Sequence, residues 1–355
     1  MTGRKSSPGA RNIVVVGETF AASRTPQRVA AMRRLGHTVR TVPTMPPGVD
    51  YETAPSLATR LRYRLRVPGD PAGANAAILS AAGGADILWL ETARMIRPSA
   101  LCRLKALNPD TAIVCYSEDD MMNPRNRTVW LQRSMPLIDL WATTKSLNMR
   151  PEERDALKLR NMLFVNNSYD TDIHRPVDVG SADIQTFGAP VSFIGTYEAP
   201  RARSVIHLAS SGVPVRVWGN GWEKLRGRHE NLKIEGRPAY NEEFAKVVAA
   251  SMVNLCFLRH ANRDLQTCRS IELPACGGFM VHERNDEIEA LLRDLREAVY
   301  FSDDDELLSL CRFWLDRKDR RKSIATNARK RVEALELSHQ ANISRILGAL
   351  DGIDR

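Results

Sequence analysis

The sequence lacks the motifs of several common chemistries. Its six cysteines (Cys102, Cys115, Cys256, Cys268, Cys276 and Cys311) contain no C-x-x-C pair, so zinc and dithiol motifs are unsupported. A chain of 355 residues that can bury two cores needs no disulfide framework. No apolar run approaches the roughly 18 residues of a membrane-spanning helix. The residues before Ile13 hold no apolar signal-peptide core, so a cytoplasmic protein is expected, with loose attachment to a membrane surface left open. Aromatic residues are only 6% of the chain and scattered. With no recognised binding motif, a nucleic-acid partner is not expected. The loop after the first apolar run, Gly17-Glu-Thr-Phe-Ala-Ala-Ser23, lacks G-x-G-x-x-G, which counts against a nicotinamide-dependent oxidoreductase.

What is present is an ordinary globular composition, 43% hydrophobic and 26% charged, at a length that suits two domains. The net charge is +9, unevenly spread. Residues 1–40 hold eight basic side chains (Arg4, Lys5, Arg11, Arg24, Arg28, Arg33, Arg34 and Arg40) against Glu18 alone. Such a surface attracts phosphates, in nucleic acid, lipid headgroups or phosphorylated sugars; a solvated basic face is the equal alternative. The polar, basic residues 1–11 read as a flexible N-terminus.

Short apolar runs alternate with helical patterns throughout. Asn12–Val16 reads as a buried strand ending in Gly17. Thr25 and Pro26 then open a helix that stops at Gly36, and a strand follows at Thr38–Val42, a βαβ opening. Further strands are expected at Asp86–Leu90, Ala112–Tyr116, Ile138–Thr143 and Met162–Val165. In the stretch 43–75, Arg60, Arg62, Arg64 and Arg66 alternate with Leu61, Tyr63 and Leu65. That period of two suggests a strand, with a basic loop or short helix as alternatives. Pro176, Gly180, Gly188 and Pro190 mark a break. The alternation then restarts with strands at Val191–Ile194, Val215–Trp218, Val253–Phe257, Phe279–Val281 and Ala298–Phe301, and everything beyond Asp305 reads as helix. The expected organisation is α/β: a Rossmann-like domain over 12–180, a second over 185–335, doubly wound sheets facing a cleft, and a terminal helix over 336–355 that returns to the first domain.

In open α/β sheets ligands sit beyond the carboxyl ends of the strands. The strand Val253–Phe257 leads into the polar loop Arg259–Gln266, then a helix that Thr267 can cap. The free amides and dipole of that helix start favour an anion such as a diphosphate. Arg269 lies in its first turn. Asp264 and Glu272, eight positions apart, can span a nucleotide and its attached group. On spacing alone, a surface ion pair between Glu272 and Arg269 or Arg263 fits the residues better.

The stretch Asp264-Leu-Gln-Thr-Cys-Arg-Ser-Ile-Glu-Leu-Pro-Ala-Cys-Gly-Gly-Phe-Met280 resembles the T-x-R-x-x-E-x-P-A-x-G-G signature of the CgeB-like glycosyltransferases, a family named for a spore maturation protein. Val191-Ser-Phe-Ile-Gly-Thr-Tyr-Glu-Ala-Pro-Arg201 resembles the family's F-x-G-[ST]-x-x-x-x-R, and Val217-Trp-Gly-Asn-Gly-Trp222 its next strand end. Tyr116-Ser-Glu-Asp-Asp120 with Asn123-Pro-Arg-Asn126, and Glu297–Ser302, resemble further family segments. The likeness is densest over 191–302 and diffuse before residue 85.

The resemblance implies the GT-B fold and transfer of a sugar from a nucleoside diphosphate sugar to an acceptor hydroxyl, with no cofactor. It implies donor contacts at Gly195, Arg201, Trp218, Gly219, Thr267, Cys268, Arg269 and Glu272, with Glu272 on the ribose and Asp264 facing the donor sugar. The D-x7-E spacing is similar to the E-x7-E of retaining transferases, with Asp in place of the first acid. Asp119 and Asp120 are candidates for the base or for acceptor contact. Gly17, Glu18, Thr19, Arg125 and Asn126 are candidate acceptor residues. The acids Glu118–Asp120 are not read as a metal site, because basic groups and helix amides supply the countercharge in this fold. The acceptor (glycan, lipid-linked or protein) is unknown. Two rival classes remain: a Rossmann-type oxidoreductase, and a non-enzymatic protein that binds through its basic surface.

Overall fold

A computed structural model describes residues 9–20 and 23–353. Most of the expected flexible segment 1–11 lies outside them. The chain forms two compact units: 1–166 with 339–355, and 167–338.

The first unit is built on six parallel strands: β1 (Asn12–Gly17), β2 (Thr38–Pro43), β3 (Ile87–Glu91), β4 (Ala112–Ser117), β5 (Leu140–Thr143) and β6 (Met162–Phe164). Their order is β2-β1-β3-β4-β5-β6, with Ile13 beside Val39 on one side and Ile87 on the other. The central strands read as unbroken apolar runs because helices cover both faces. One face packs Val14, Leu88 and Ile113 against Leu101 and Leu104; the other packs Ile13, Trp89 and Val114 against Met32, Ile343, Ile346 and Leu347. The last helix, His339–Asp351, therefore belongs to the first unit. Its buried residues recur at helical spacing, and its Asn342 amide donates to the Asn166 carbonyl at 2.7 Å.

The second unit has β7 (Ala189–Ile194), β8 (Val215–Trp218), β9 (Leu232–Ile234), β10 (Ser251–Cys256), β11 (Met280–Glu283) and β12 (Val299–Phe301). All pairings are parallel, in the order β12-β11-β10-β7-β8-β9. The strand order reverses between β7 and β10 here, and between β1 and β3 in the first unit. Those are the positions at which doubly wound sheets bind ligands.

Two local readings are refined. Of the readings open for the Arg60–Arg66 alternation, the short helix is the one that forms: Leu57–Arg64, with Ser56 Oγ accepting from Thr59 N and Arg66 beyond its end; Leu57, Leu61 and Leu65 recur at a helical period that outweighs the period of two. Between β4 and β5 a turn precedes the helix Val129–Ser134, which Thr128 caps by accepting from Leu131 N at 3.1 Å. A short helix, Ser181–Phe187, occupies the break before β7. Among the described residues no helix is long and apolar enough to cross a membrane.

Candidate active site

In the second unit, the ends of β7 and β10 converge on a basic loop cluster. β7 runs into Gly195, whose carbonyl accepts from Trp222 Nε1 at 2.9 Å. Gly219, at the end of β8, has φ +146°, and a side chain there would collide with the Gly195 backbone; only glycine allows this close approach. Arg201 stands in the first turn of the helix Ala199–Ser210. Its Nη1 donates to the Thr196 carbonyl at 3.1 Å and lies 3.6 Å from Glu198, while its Nε is buried with no partner. Burial pulls its pKa down, opposed by Glu198 and weakly by Asp264. A buried cation with an unmet donor is costly unless something completes it.

Beyond β10, Asp264 is buried and accepts from the Asn262 side-chain amide at 2.7 Å. The helix Cys268–Ala275 follows, with Thr267 at its N-cap. The Thr267 amide donates to Ser270 Oγ at 2.9 Å, and Ser270 Oγ lies 2.7 Å from His282 Nε2. His282 Nδ1 is 2.6 Å from the Glu283 carbonyl, which can only accept. The proton therefore sits on Nδ1, Nε2 accepts from the serine, and the ring is neutral. Burial lowers the His282 pKa to about 4. This chain of donors anchors the helix start beneath the loop.

Arg269 lies over the Phe244 ring at 4.4 Å, donates through Nε to the Ile194 carbonyl at 3.2 Å, and pairs through Nη1 with Glu272. Glu272 is 1% exposed; its other oxygen is 3.7 Å from His174 Nε2. His174 Nδ1 accepts from the Asp170 amide at 3.0 Å, so Nε2 carries the proton that faces the carboxylate. Burial raises the Cys256 pKa to about 11, while Arg201 and Arg269 both oppose that rise. One sulfur at the end of β10 thus feels both guanidiniums. Pro274, inside the helix, leaves it short, and Cys276 N closes it on the Glu272 carbonyl at 3.0 Å.

Several expected donor residues lie together here: Gly195, Arg201, Gly219, Asp264, Thr267, Arg269 and Glu272. Two do not offer a side chain. Trp218 is fully buried beneath Arg216, whose guanidinium is 4.6 Å from its ring, because the sheet is covered on both faces. Cys268 turns its thiol 3.2 Å from Asn167 Oδ1. His174 and Phe244, which hold Glu272 and Arg269, carry no sequence pattern that points to them.

In the first unit, the ends of β1, β3 and β4 carry acids matched to arginines. Arg28 is buried; its Nε is 2.8 Å from both Glu91 oxygens and its Nη1 3.1 Å from Glu118. The two carboxylates hold its pKa above the usual arginine range against desolvation. Arg94 pairs with Asp119. Glu18 accepts from the Tyr51 hydroxyl, and burial raises its pKa despite that bond. Gly17 is packed so closely that a Cβ would lie 2.6 Å from Thr25 Oγ1. Asp120 is buried and organises its loop: Oδ1 accepts from Met122 N at 2.9 Å and from Asn148 Nδ2 at 2.8 Å. Those are the contacts of a structural carboxylate, against its expected role as base or acceptor contact. Asn126 donates to the Asp120 carbonyl at 2.9 Å, whereas Arg125 and Thr19 are exposed. Arg28, Glu91 and Arg94 escaped sequence reasoning because their partners are far away in the chain. Among the described residues no group of three or more His, Cys, Asp or Glu is placed to hold a metal ion.

Two doubly wound parallel sheets, each presenting polar loops at its switch point, define the GT-B architecture of glycosyltransferases. Residues 201–348 match the family model described as glycosyl transferase-like. Architecture and family model point the same way: the chain has the GT-B fold, and its second half carries a glycosyl transferase-like region. The fold is similar to Alr3699/HepE from Anabaena in complex with UDP-glucose, at TM-score 0.63 and 13% identity, covering 97% of this chain and 100% of that one. Sucrose-phosphate synthase from Thermosynechococcus elongatus gives TM-score 0.65 at 13% identity, over 96% and 98% of the two chains. An α,α-trehalose-phosphate synthase (UDP-forming) from Burkholderia vietnamiensis gives 0.64 at 11%, over 97% and 100%. Among curated proteins none matches the chain's sequence.

Proposed function

We propose that the protein, acting in the cytoplasm, moves a sugar from a nucleoside diphosphate sugar to an acceptor hydroxyl, within the CgeB-like group that its motifs resemble. The donor lies at the β7/β10 switch point and the acceptor at the β1/β3 switch point. The observation that carries this reading is the buried Arg201 Nε without a partner, beside a second guanidinium, Arg269, at the start of an N-capped helix. A diphosphate supplies the missing acceptors, and guanidinium is bidentate for it. These cations and the helix amides neutralise the leaving diphosphate as the glycosidic bond breaks, with no metal ion or cofactor required.

Glu272 takes the ribose hydroxyls once Arg269 turns from it toward phosphate. Asp264, held by Asn262, faces the donor sugar. In the first unit Glu18, with its raised pKa, and Asp119 are placed to receive the acceptor hydroxyl's proton; Gly17, Thr19, Arg125 and Asn126 line that loop face. Alr3699/HepE, whose fold is similar, is known in complex with UDP and with UDP-glucose, so uridine nucleotides are the first donors to test. The test is calorimetry with uridine, guanosine and nicotinamide nucleotides. Tight binding of one nucleoside diphosphate, with release of that diphosphate when the sugar nucleotide meets an acceptor, supports the reading. Preference for a nicotinamide nucleotide contradicts it.

A further inference from the structure

The helix Leu57–Arg64 has no buried residue. Helices this short do not persist in water on their own, and this one is held at its ends. Ser56 caps its start. Beyond its last turn Arg66 donates through Nε to the Arg127 carbonyl at 2.8 Å, and the Arg66 carbonyl accepts from Val129 N at 2.8 Å. Between those pins none of its side chains is buried. Of the ten large hydrophobic side chains exposed among the described residues, five lie between Tyr51 and Leu65. Leu57 is 81%, Leu61 57% and Leu65 60% exposed.

Their arrangement is ordered. Leu57, Leu61 and Leu65 follow at intervals of four, which at about 100° per residue puts them within about 80° of arc. Arg60 and Arg64 flank that stripe on one side and Arg62 on the other. Tyr63 lies across the helix, within electrostatic reach of Glu18 and Arg94, so the tyrosine side faces the body of the unit and the leucine stripe faces away from it. From Thr53 to Gly69 there are four arginines and no acid. An apolar stripe bordered by long cationic side chains is the composition that lies in a lipid interface: leucines enter the acyl boundary, and arginines stretch back to the headgroups.

We propose that the Leu57–Arg64 helix docks the first unit onto an anionic lipid bilayer surface. The complementarity is twofold: the stripe matches the acyl boundary and the arginines match negative headgroups. The helix lies in the interface plane and does not insert across it. Docking brings the β1/β3 face, to which Glu18 and Tyr51 belong, next to the membrane, so an acceptor carried by a lipid would be within reach. The docking itself does not rest on the glycosyltransferase reading.

The experiment is co-sedimentation of the full chain with phosphatidylcholine vesicles, with and without phosphatidylglycerol, at low and high salt. The wild type should sediment with the anionic vesicles, weakly with the neutral ones, and less at high salt. Leu57→Gln/Leu61→Gln/Leu65→Gln and Arg60→Gln/Arg62→Gln/Arg64→Gln should each bind anionic vesicles at least about tenfold more weakly, with thermal midpoints unchanged because no buried contact is removed. Binding equal to wild type in both variants overturns the proposal, as does a wild type that ignores vesicles. A wild-type dimer that the leucine variant makes monomeric would assign the stripe to a second copy of this chain instead. Vesicle binding without nucleoside diphosphate binding would sink the proposed function and leave this inference standing.

Discussion

The two switch points treat buried arginine in opposite ways. In the first unit Arg28 is closed on both sides: Glu91 holds it in a fork, Glu118 takes a further donor, and Tyr116 lies 4.6 Å beneath its guanidinium. In the second, Arg201 is as deeply buried yet keeps an unsatisfied Nε, with one carbonyl and a carboxylate 3.6 Å away. A saturated cation belongs to the fold. An unsaturated one raises the energy of the empty site and lowers it when an anion arrives. The contrast supports the second unit as the proposed anion site, whereas the first presents a face of acids held by cations.

Substitution at the two arginines breaks this comparison most directly. Arg28→Met leaves the buried Glu91 carboxylate without its partner, and should cost about 3–5 kcal/mol of stability, read as a drop in the urea midpoint. Arg28→Met with Glu91→Gln should recover a good part of it. Arg201→Met should leave the midpoint unchanged or raise it, because a desolvated cation is removed, while weakening nucleoside diphosphate binding by about tenfold or more. If the two single variants destabilise alike, the contrast between the sites is false.

The buried His282 gives a pH dependence in the second unit. The unfolded chain takes up its imidazole proton near the usual value of about 6.5, whereas the folded ring refuses it until about pH 4. Between those values the unfolded state binds more protons, so stability falls as pH falls through this window, by at most about 3 kcal/mol in all. Urea midpoints at pH 7, 6 and 5 read the effect, and His282→Gln should flatten the slope. The smallest expected effect separates neighbouring acids in the first unit. Asp119→Asn, at the half-exposed Arg94 pair, should cost less than about 1 kcal/mol. Asp120→Asn should cost more, about 1–2 kcal/mol, through the Met122 and Asn148 bonds.

Nearly all twelve strands were legible as apolar runs, because sheets covered on both faces leave no polar alternation to confuse. β9 was missed: Leu232-Lys233-Ile234 is three residues with a lysine in the middle. The Leu57–Arg64 helix was legible only as an alternative to a strand, because arginines happen to alternate with apolar residues there. At the site, Thr267, Arg269 and Glu272 were legible because they share one helix, so spacing translates directly into geometry. His174 and Arg28 were not: their partners Glu272 and Glu91 lie 98 and 63 positions away (272 − 174 and 91 − 28). Trp218 was misplaced for a related reason, since a residue at a strand end can point into the core as readily as into the loops.

The account depends most on Arg269 and Glu272 passing from each other to a donor. The direct test is calorimetry of a nucleoside and its diphosphate against wild type, Arg269→Ala and Glu272→Gln. Arg269→Ala should weaken the diphosphate yet spare the nucleoside. Glu272→Gln should weaken both, by about one to two orders of magnitude, as expected when a charged acceptor worth roughly 1.5–3 kcal/mol is lost. Unchanged diphosphate binding in both variants would contradict the account and leave the pair as an ordinary ion pair within one helix.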